Sequence, residues 1–66
     1  MNTRTLIEKY FLEIWGSEYC QDIGEYEIQG SLLRANCEDI WGKYTWREVD
    51  LLDYITWVFN QNNVSK

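Results

Sequence analysis

The groups in this chain that could do chemistry are carboxylates and two thiols. Asp50 and Asp53 stand three residues apart, a spacing that puts both on one helix face. Paired carboxylates can work as acid and base when a cleft separates their pKa values, and small folds rarely enclose such a cleft. There is no histidine, so the usual proton-transfer base at neutral pH is missing. No serine or cysteine has a plausible neighbouring base, and no glycine-rich loop exists to cradle a phosphate. Cys20 and Cys37 are the only cysteines. Without histidine or a Cys-x-x-Cys spacing, a zinc site would need carboxylates to complete it. The acids also lack the alternating pattern of a calcium loop. The reading is therefore a binding protein with no catalytic residue, no metal and no cofactor. Its thiols read as small apolar fillers, with a disulfide as the alternative.

Composition points the same way. Sixty-six residues make one domain, 1–66, and leave little room for a large core. Small folds make up the deficit with disulfides, metals, oligomerisation or dense rings. Aromatic residues are 17% of this chain, including four tryptophans and five tyrosines. The net charge of −5 repels nucleic acid and anionic lipid and favours a basic protein surface as partner. No apolar run is long enough to span a bilayer and no signal-peptide pattern opens the chain, so the expectation is cytoplasmic, with no membrane and no direct nucleic-acid contact.

The elements that position these groups are legible to different degrees. Thr5 and Glu8 read as a capping box for a first helix at about residues 4–15. Its apolar stripe is Leu6, Ile7, Tyr10, Phe11 and Ile14, with Leu12 off the stripe, Trp15 at its edge and Gly16 as the stop. Thr45 and Glu48 read as a second capping box, predicting a helix from Trp46 to about Asn60. Leu51, Leu52, Ile55, Val58 and Phe59 would be its apolar face. Between the helices, Glu25–Gln29 alternates polar and apolar, and Gly30-Ser31 suits a two-residue turn. A hairpin closed there pairs Ile28 with Leu33, Tyr26 with Ala35 and Glu27 with Arg34, sorting the two faces in one register. The rival is a helix from Leu32 to Trp41. On the hairpin reading, Cys37–Tyr44 is a loop or a short third strand. The predicted fold class is α+β, a small α-β-β-α domain with both helices on one face of an antiparallel sheet. The alternative is an all-α bundle of three or four helices.

Two groups of residues stand out as a partner-binding surface. Trp46, Asp50, Asp53, Tyr54 and Trp57 would share the side of the last helix away from its apolar stripe. Rings can stack on Arg or Lys while carboxylates accept their hydrogen bonds. Two competing readings bury these rings within the subunit or in a homodimer, so the chain is expected to be a monomer or a homodimer. The second group is acidic: Asp22, Glu25, Glu27, Glu38 and Asp39. Carboxylates about 7 Å apart along a strand approximate successive phosphates. The bland reading is a solvated strand face.

In size and composition the whole chain resembles the small phage-encoded inhibitors of bacterial defence, above all the anti-CRISPR proteins, and in charge the antirestriction DNA mimics. The likeness is carried by short length, aromatic richness, the lack of histidine and the acids Asp22, Glu25, Glu27, Glu38, Asp39, Asp50 and Asp53. No diagnostic motif accompanies it, and −5 is milder than the strongest mimics carry. The resemblance implies a protein acting in the host cell cytoplasm by occupying the positively charged DNA- or RNA-binding site of a CRISPR effector subunit. An antidote or obligate subunit using the aromatic helix face is the alternative.

Overall fold

The structure, a computed structural model, describes residues 3–64, and their side chains as far as residue 61. Five elements follow in order: α1 (Thr3–Trp15), β1 (Asp22–Gln29), β2 (Leu32–Glu38), β3 (Tyr44–Asp50) and α2 (Leu51–Val64). The strands form an antiparallel meander in the order β1-β2-β3. This is the α+β class with two helices that the patterning predicts, enlarged by one strand.

The hairpin forms in the expected register, with Ile28 opposite Leu33, Glu27 opposite Arg34 and Tyr26 opposite Ala35. Gly30 carries φ +60°, and among the described residues no non-glycine has positive φ, so the turn concentrates its left-handed demand on its first central residue. A bulge between Ile23 and Tyr26 shifts the register near the start of β1. The rival helix at residues 32–41 does not form.

The largest correction concerns residues 44–50. The Thr45–Glu48 spacing looks like a helix start, yet it lies inside β3, which pairs with β2 over seven consecutive residues. Tyr44, Thr45, Trp46 and Val49 are β-favouring side chains, and β2 offers them an unpaired edge. Glu48 bonds Arg34 across the ladder and has no capping role. The real cap is Asp50, whose Oδ1 accepts the Leu52 N–H at 2.8 Å, with Asp53 adding negative charge in the first turn. Aspartate is a stronger cap than threonine, so the helix starts five residues later than the Thr45 signature implies. It also runs past Asn60, to Val64.

The first helix shows a smaller discrepancy. It begins at Thr3, which places Thr5 inside the helix, and Glu8 pairs with Arg4 at 3.3 Å. Its end is as expected. Gly16 adopts φ +86° and returns its N–H to the Leu12 carbonyl at 2.8 Å.

Both helices cover one face of the sheet. Ile7, Tyr10 and Phe11 of α1 and Tyr54 of α2 meet Ile23, Leu33, Ala35 and Cys37 from the strands in a single buried cluster. Leu51, Val58 and Trp57 pack on it from α2, as Leu6 and Trp15 do from α1. Tyr10 sits at the centre of the rings, 5.4 Å from Tyr54 and 5.1 Å from Trp57. In α1 the stripe residues Leu6, Ile7, Tyr10 and Phe11 face the core as expected and only Ile14 turns out, whereas α2 is rotated from its expected stripe. Ile14, Leu52, Ile55 and Phe59 are exposed, while Trp15, Tyr54 and Trp57 take the inward places. Each such ring buries more apolar surface than an aliphatic side chain at the same position would.

Cys20 and Cys37 are free and buried, Cys20 Sγ donating to the Asp22 carbonyl at 3.9 Å and Cys37 Sγ to the Ala35 carbonyl at 3.7 Å. Burial raises the pKa of both thiols.

Candidate functional site: the open face of the sheet

In β2, Leu33, Ala35 and Cys37 point to the helices, so Leu32, Arg34, Asn36 and Glu38 point the other way. Residues directly opposite one another share a face. The register therefore places Asp22 and Glu27 of β1, and Tyr44, Trp46, Glu48 and Asp50 of β3, beside them. No described helix covers this side. It carries five carboxylates against the single guanidinium of Arg34.

Arg34 organises the middle of the face. Its Nη1 bonds Glu27 Oε2 at 2.7 Å on β1, and its Nε lies 3.4 Å from Glu48 Oε1 on β3. The guanidinium also sits 5.2 Å from the Trp46 ring centre. One cation thus ties three strands and holds an indole in place. Trp46 remains 41% exposed, and Tyr44 is exposed beside it. Tyr44 lies over Gly24, where an added Cβ would stand 3.5 Å from its ring, and its hydroxyl donates to Glu38 Oε1 at 3.4 Å. The Glu38 charge raises the Tyr44 pKa, so this phenol stays neutral and able to donate.

The face merges at one end with a braced loop. Asp39 Oδ1 accepts the N–H groups of both Trp41 and Lys43 at 2.9 Å. The Ile40 N–H reaches the Glu18 carbonyl at 3.1 Å, joining this loop to the turn after α1. Trp41, 66% exposed, and Ile40 are presented to solvent from that fixed backbone.

The expected partner-binding residues therefore divide. Asp22, Glu27, Glu38 and Trp46 meet on the open face, and Glu25 is exposed at the bulge of β1. Asp50 shares that face at its helical corner but is committed to capping α2. Asp39 is a loop brace. The single helix face proposed for Trp46, Asp50, Asp53, Tyr54 and Trp57 does not exist, because Trp46 belongs to a strand. Tyr54 is buried, and Trp57 is half-buried with Nε1 donating to Glu13 Oε2 at 2.8 Å. Asp53 is exposed beside them on α2. Sequence reasoning missed Tyr44, Trp41 and Glu48. The alternation of Tyr44, Trp46 and Glu48 with Thr45, Arg47 and Val49 is the signal that could have found two of them.

On the covered side of β3, Arg47 lies 4.6 Å from the Trp15 ring centre and 5.7 Å from that of Tyr19. Its Nε and the Trp15 Nε1 are buried without hydrogen-bond partners. Among the described residues no cluster of three His, Cys, Asp or Glu side chains is placed to hold a metal, and no helix is long and apolar enough to cross a membrane. No family model, curated protein or solved structure matches this chain.

Proposed function

We propose that the chain is a stoichiometric inhibitor that docks its open sheet face onto a basic nucleic-acid-binding site, as an anti-CRISPR protein does on an effector complex. The observation that carries this reading is the excess of carboxylates around two exposed rings on an uncovered face. Trp46 and Tyr44 supply apolar contact and stack on cationic side chains, while Glu27, Glu38 and Glu48 accept their hydrogen bonds. The action is binding in the cytoplasm of the host cell, with no bond made or broken.

The test is a target-DNA binding assay with a purified CRISPR effector complex, with the chain added at equal and at tenfold molar ratio. Inhibition that saturates near one chain per site and weakens steeply with salt supports the reading. Complex formation indifferent to salt, or no effect on DNA binding across effector types, counts against it.

One observation favours a second reading. Leu52, Ile55 and Phe59 form an exposed apolar stripe on α2, with no covering element among the described residues. That stripe suits a permanent interface in an antidote or obligate subunit. Sedimentation of the pure chain separates the cases, because a stable dimer assigns the stripe to self-association.

A further inference from the structure

The two edges of the sheet are built differently. The β1 edge is guarded. It carries the bulge between Ile23 and Tyr26, the side chain of Arg4 donates to the Ile23 carbonyl, and Asp22, Glu25 and Glu27 line it with negative charge. Bulges and charges are the devices that keep edge strands from pairing. The β3 edge also carries charge, at Arg47, Glu48 and Asp50, but among the described residues it has no bulge and no side chain donating to it as Arg4 does to β1, and its seven residues stay in unbroken register with β2.

The register also says which peptide groups of β3 are free. Asp39 donates its N–H to the Lys43 carbonyl at 3.0 Å, and Leu51 donates to the Ser31 carbonyl at 2.9 Å. Both pairs continue the ladder in which Leu33 faces Val49, Ala35 faces Arg47 and Cys37 faces Thr45. Hydrogen-bonded pairs recur at every second residue of an antiparallel ladder. The peptide groups of Thr45, Arg47 and Val49 therefore turn to β2. Those of Tyr44, Trp46 and Glu48 turn to the open edge, and among the described residues they have no partner.

We infer that this edge accepts a foreign strand, an extended basic segment of the partner protein, which extends the sheet as a fourth strand beside β3. The inference rests on the inhibitor reading and deepens it by naming how the partner docks. Backbone pairing would supply geometry and affinity, and alternate side chains would supply specificity. A fourth strand here places every second side chain on the open face, directly beside Tyr44, Trp46 and Glu48. Those neighbours are two rings and a carboxylate, within a face of strong negative excess, so Lys and Arg at alternate positions are the complementary choice. Like-charge pairing across the new ladder disfavours an acidic strand. It also disfavours a second copy paired about Arg47, which would set two guanidinium groups opposite each other.

The probe is a capped seven-residue peptide alternating Arg and Val, with a Glu-and-Val peptide as control. The readout is amide hydrogen exchange resolved by residue. On saturation with the basic peptide, exchange at Tyr44, Trp46 and Glu48 should slow by at least about tenfold, while Thr45 and Arg47, already paired, change little. Two variants separate charge from backbone. Glu48→Gln removes the carboxylate alone, and Glu48→Pro also removes an N–H that β2 does not use. The proline variant should bind the peptide about tenfold more weakly than the glutamine variant, as loss of one edge hydrogen bond and its neighbours implies. Peptide shifts confined to outer-face side chains, with edge exchange unchanged, overturn strand addition and leave the inhibitor reading standing. Protection of the edge that grows with protein concentration alone overturns the foreign strand in favour of a second copy. Equal binding of both peptides overturns the charge complementarity.

Discussion

Replacing Asp50 by alanine tests where the last helix begins. In the structure its Oδ1 accepts the Leu52 N–H at 2.8 Å, satisfying one of the orphan donors of the first turn of α2. Loss of an aspartate cap costs about 1 kcal/mol. Unfolding entropy of about 2.1 cal/mol/K per residue gives a 66-residue domain roughly 140 cal/mol/K, so that cost lowers Tm by about 7 °C. Asp50→Asn keeps the cap and loses only the charge at the positive end of the helix dipole, so it should fall by no more than about 4 °C. Thr45→Val is the counterpart. It removes the hydroxyl that would cap a helix starting at Trp46 and keeps a β-branched side chain for a strand. With Thr45 inside β3, its Tm should stay within about 2 °C of the parent. The assay is thermal unfolding followed by far-ultraviolet circular dichroism at neutral pH. A fall for Thr45→Val as large as that for Asp50→Ala, or no fall for Asp50→Ala, refutes the strand-to-helix boundary.

Other consequences follow from the same geometry. Gly16→Ala should lower Tm by about 7 °C, because φ +86° costs an alanine about 1 kcal/mol although open space surrounds the new Cβ; an unchanged melt contradicts the left-handed cap. Arg34→Ala should cost about 1 kcal/mol through Glu27, Glu48 and Trp46, and the difference from the parent should shrink in high salt; a gap unaffected by salt removes the electrostatic part of that account. Burial raises the pKa values of Cys20, Cys37, Tyr10 and Tyr54 above their ordinary 9.0 and 10.0. The unfolded chain then releases those protons first, so stability is complete below pH 9.0 and falls as pH rises through 10.0 and beyond. Melts at neutral and alkaline pH should show Tm dropping, less steeply for Tyr54→Phe, whereas a Tm that rises with pH contradicts this.

The parts legible in the sequence are those in which local and tertiary signals agree. Gly30-Ser31 admits one register, and that register sorts Ile28 and Leu33 from Glu27 and Arg34, so the hairpin can be read residue by residue. Gly16 marks a helix end because few other residues adopt its backbone conformation cheaply. The third strand is hidden because Thr45 and Glu48 imitate a helix cap, while the reason they lie in a strand is the unpaired edge of β2, a feature of the assembled sheet. With residues 44–50 in a strand, Trp46 lies on the sheet and not on the last helix, so the expected helix face is not formed. Tyr54 and Trp57 were misplaced for a different reason. Rings at helix positions next to an aliphatic stripe look like a surface feature, but a core this small has room for large rings to turn inward. Glu27 lies where strand alternation puts it, but Asp22 joins it on the open face only through the bulge between Ile23 and Tyr26, and Glu38 only because β2 runs on past Cys37, and the alternation shows neither.

Charge reversal on opposite sides of the molecule tests the docking surface most directly. Glu27→Lys with Glu48→Lys inverts charge on the open face, and Asp53→Lys inverts it on α2, leaving the sheet untouched. Each protein, with its fold confirmed by circular dichroism, is titrated against a purified effector complex while target-DNA binding is followed. The open-face pair should lose inhibition by at least about a hundredfold, as two reversed contacts at a charge-complementary interface imply, while Asp53→Lys inhibits like the parent. Unimpaired inhibition by the folded open-face variant, together with its loss in Asp53→Lys, would contradict the account.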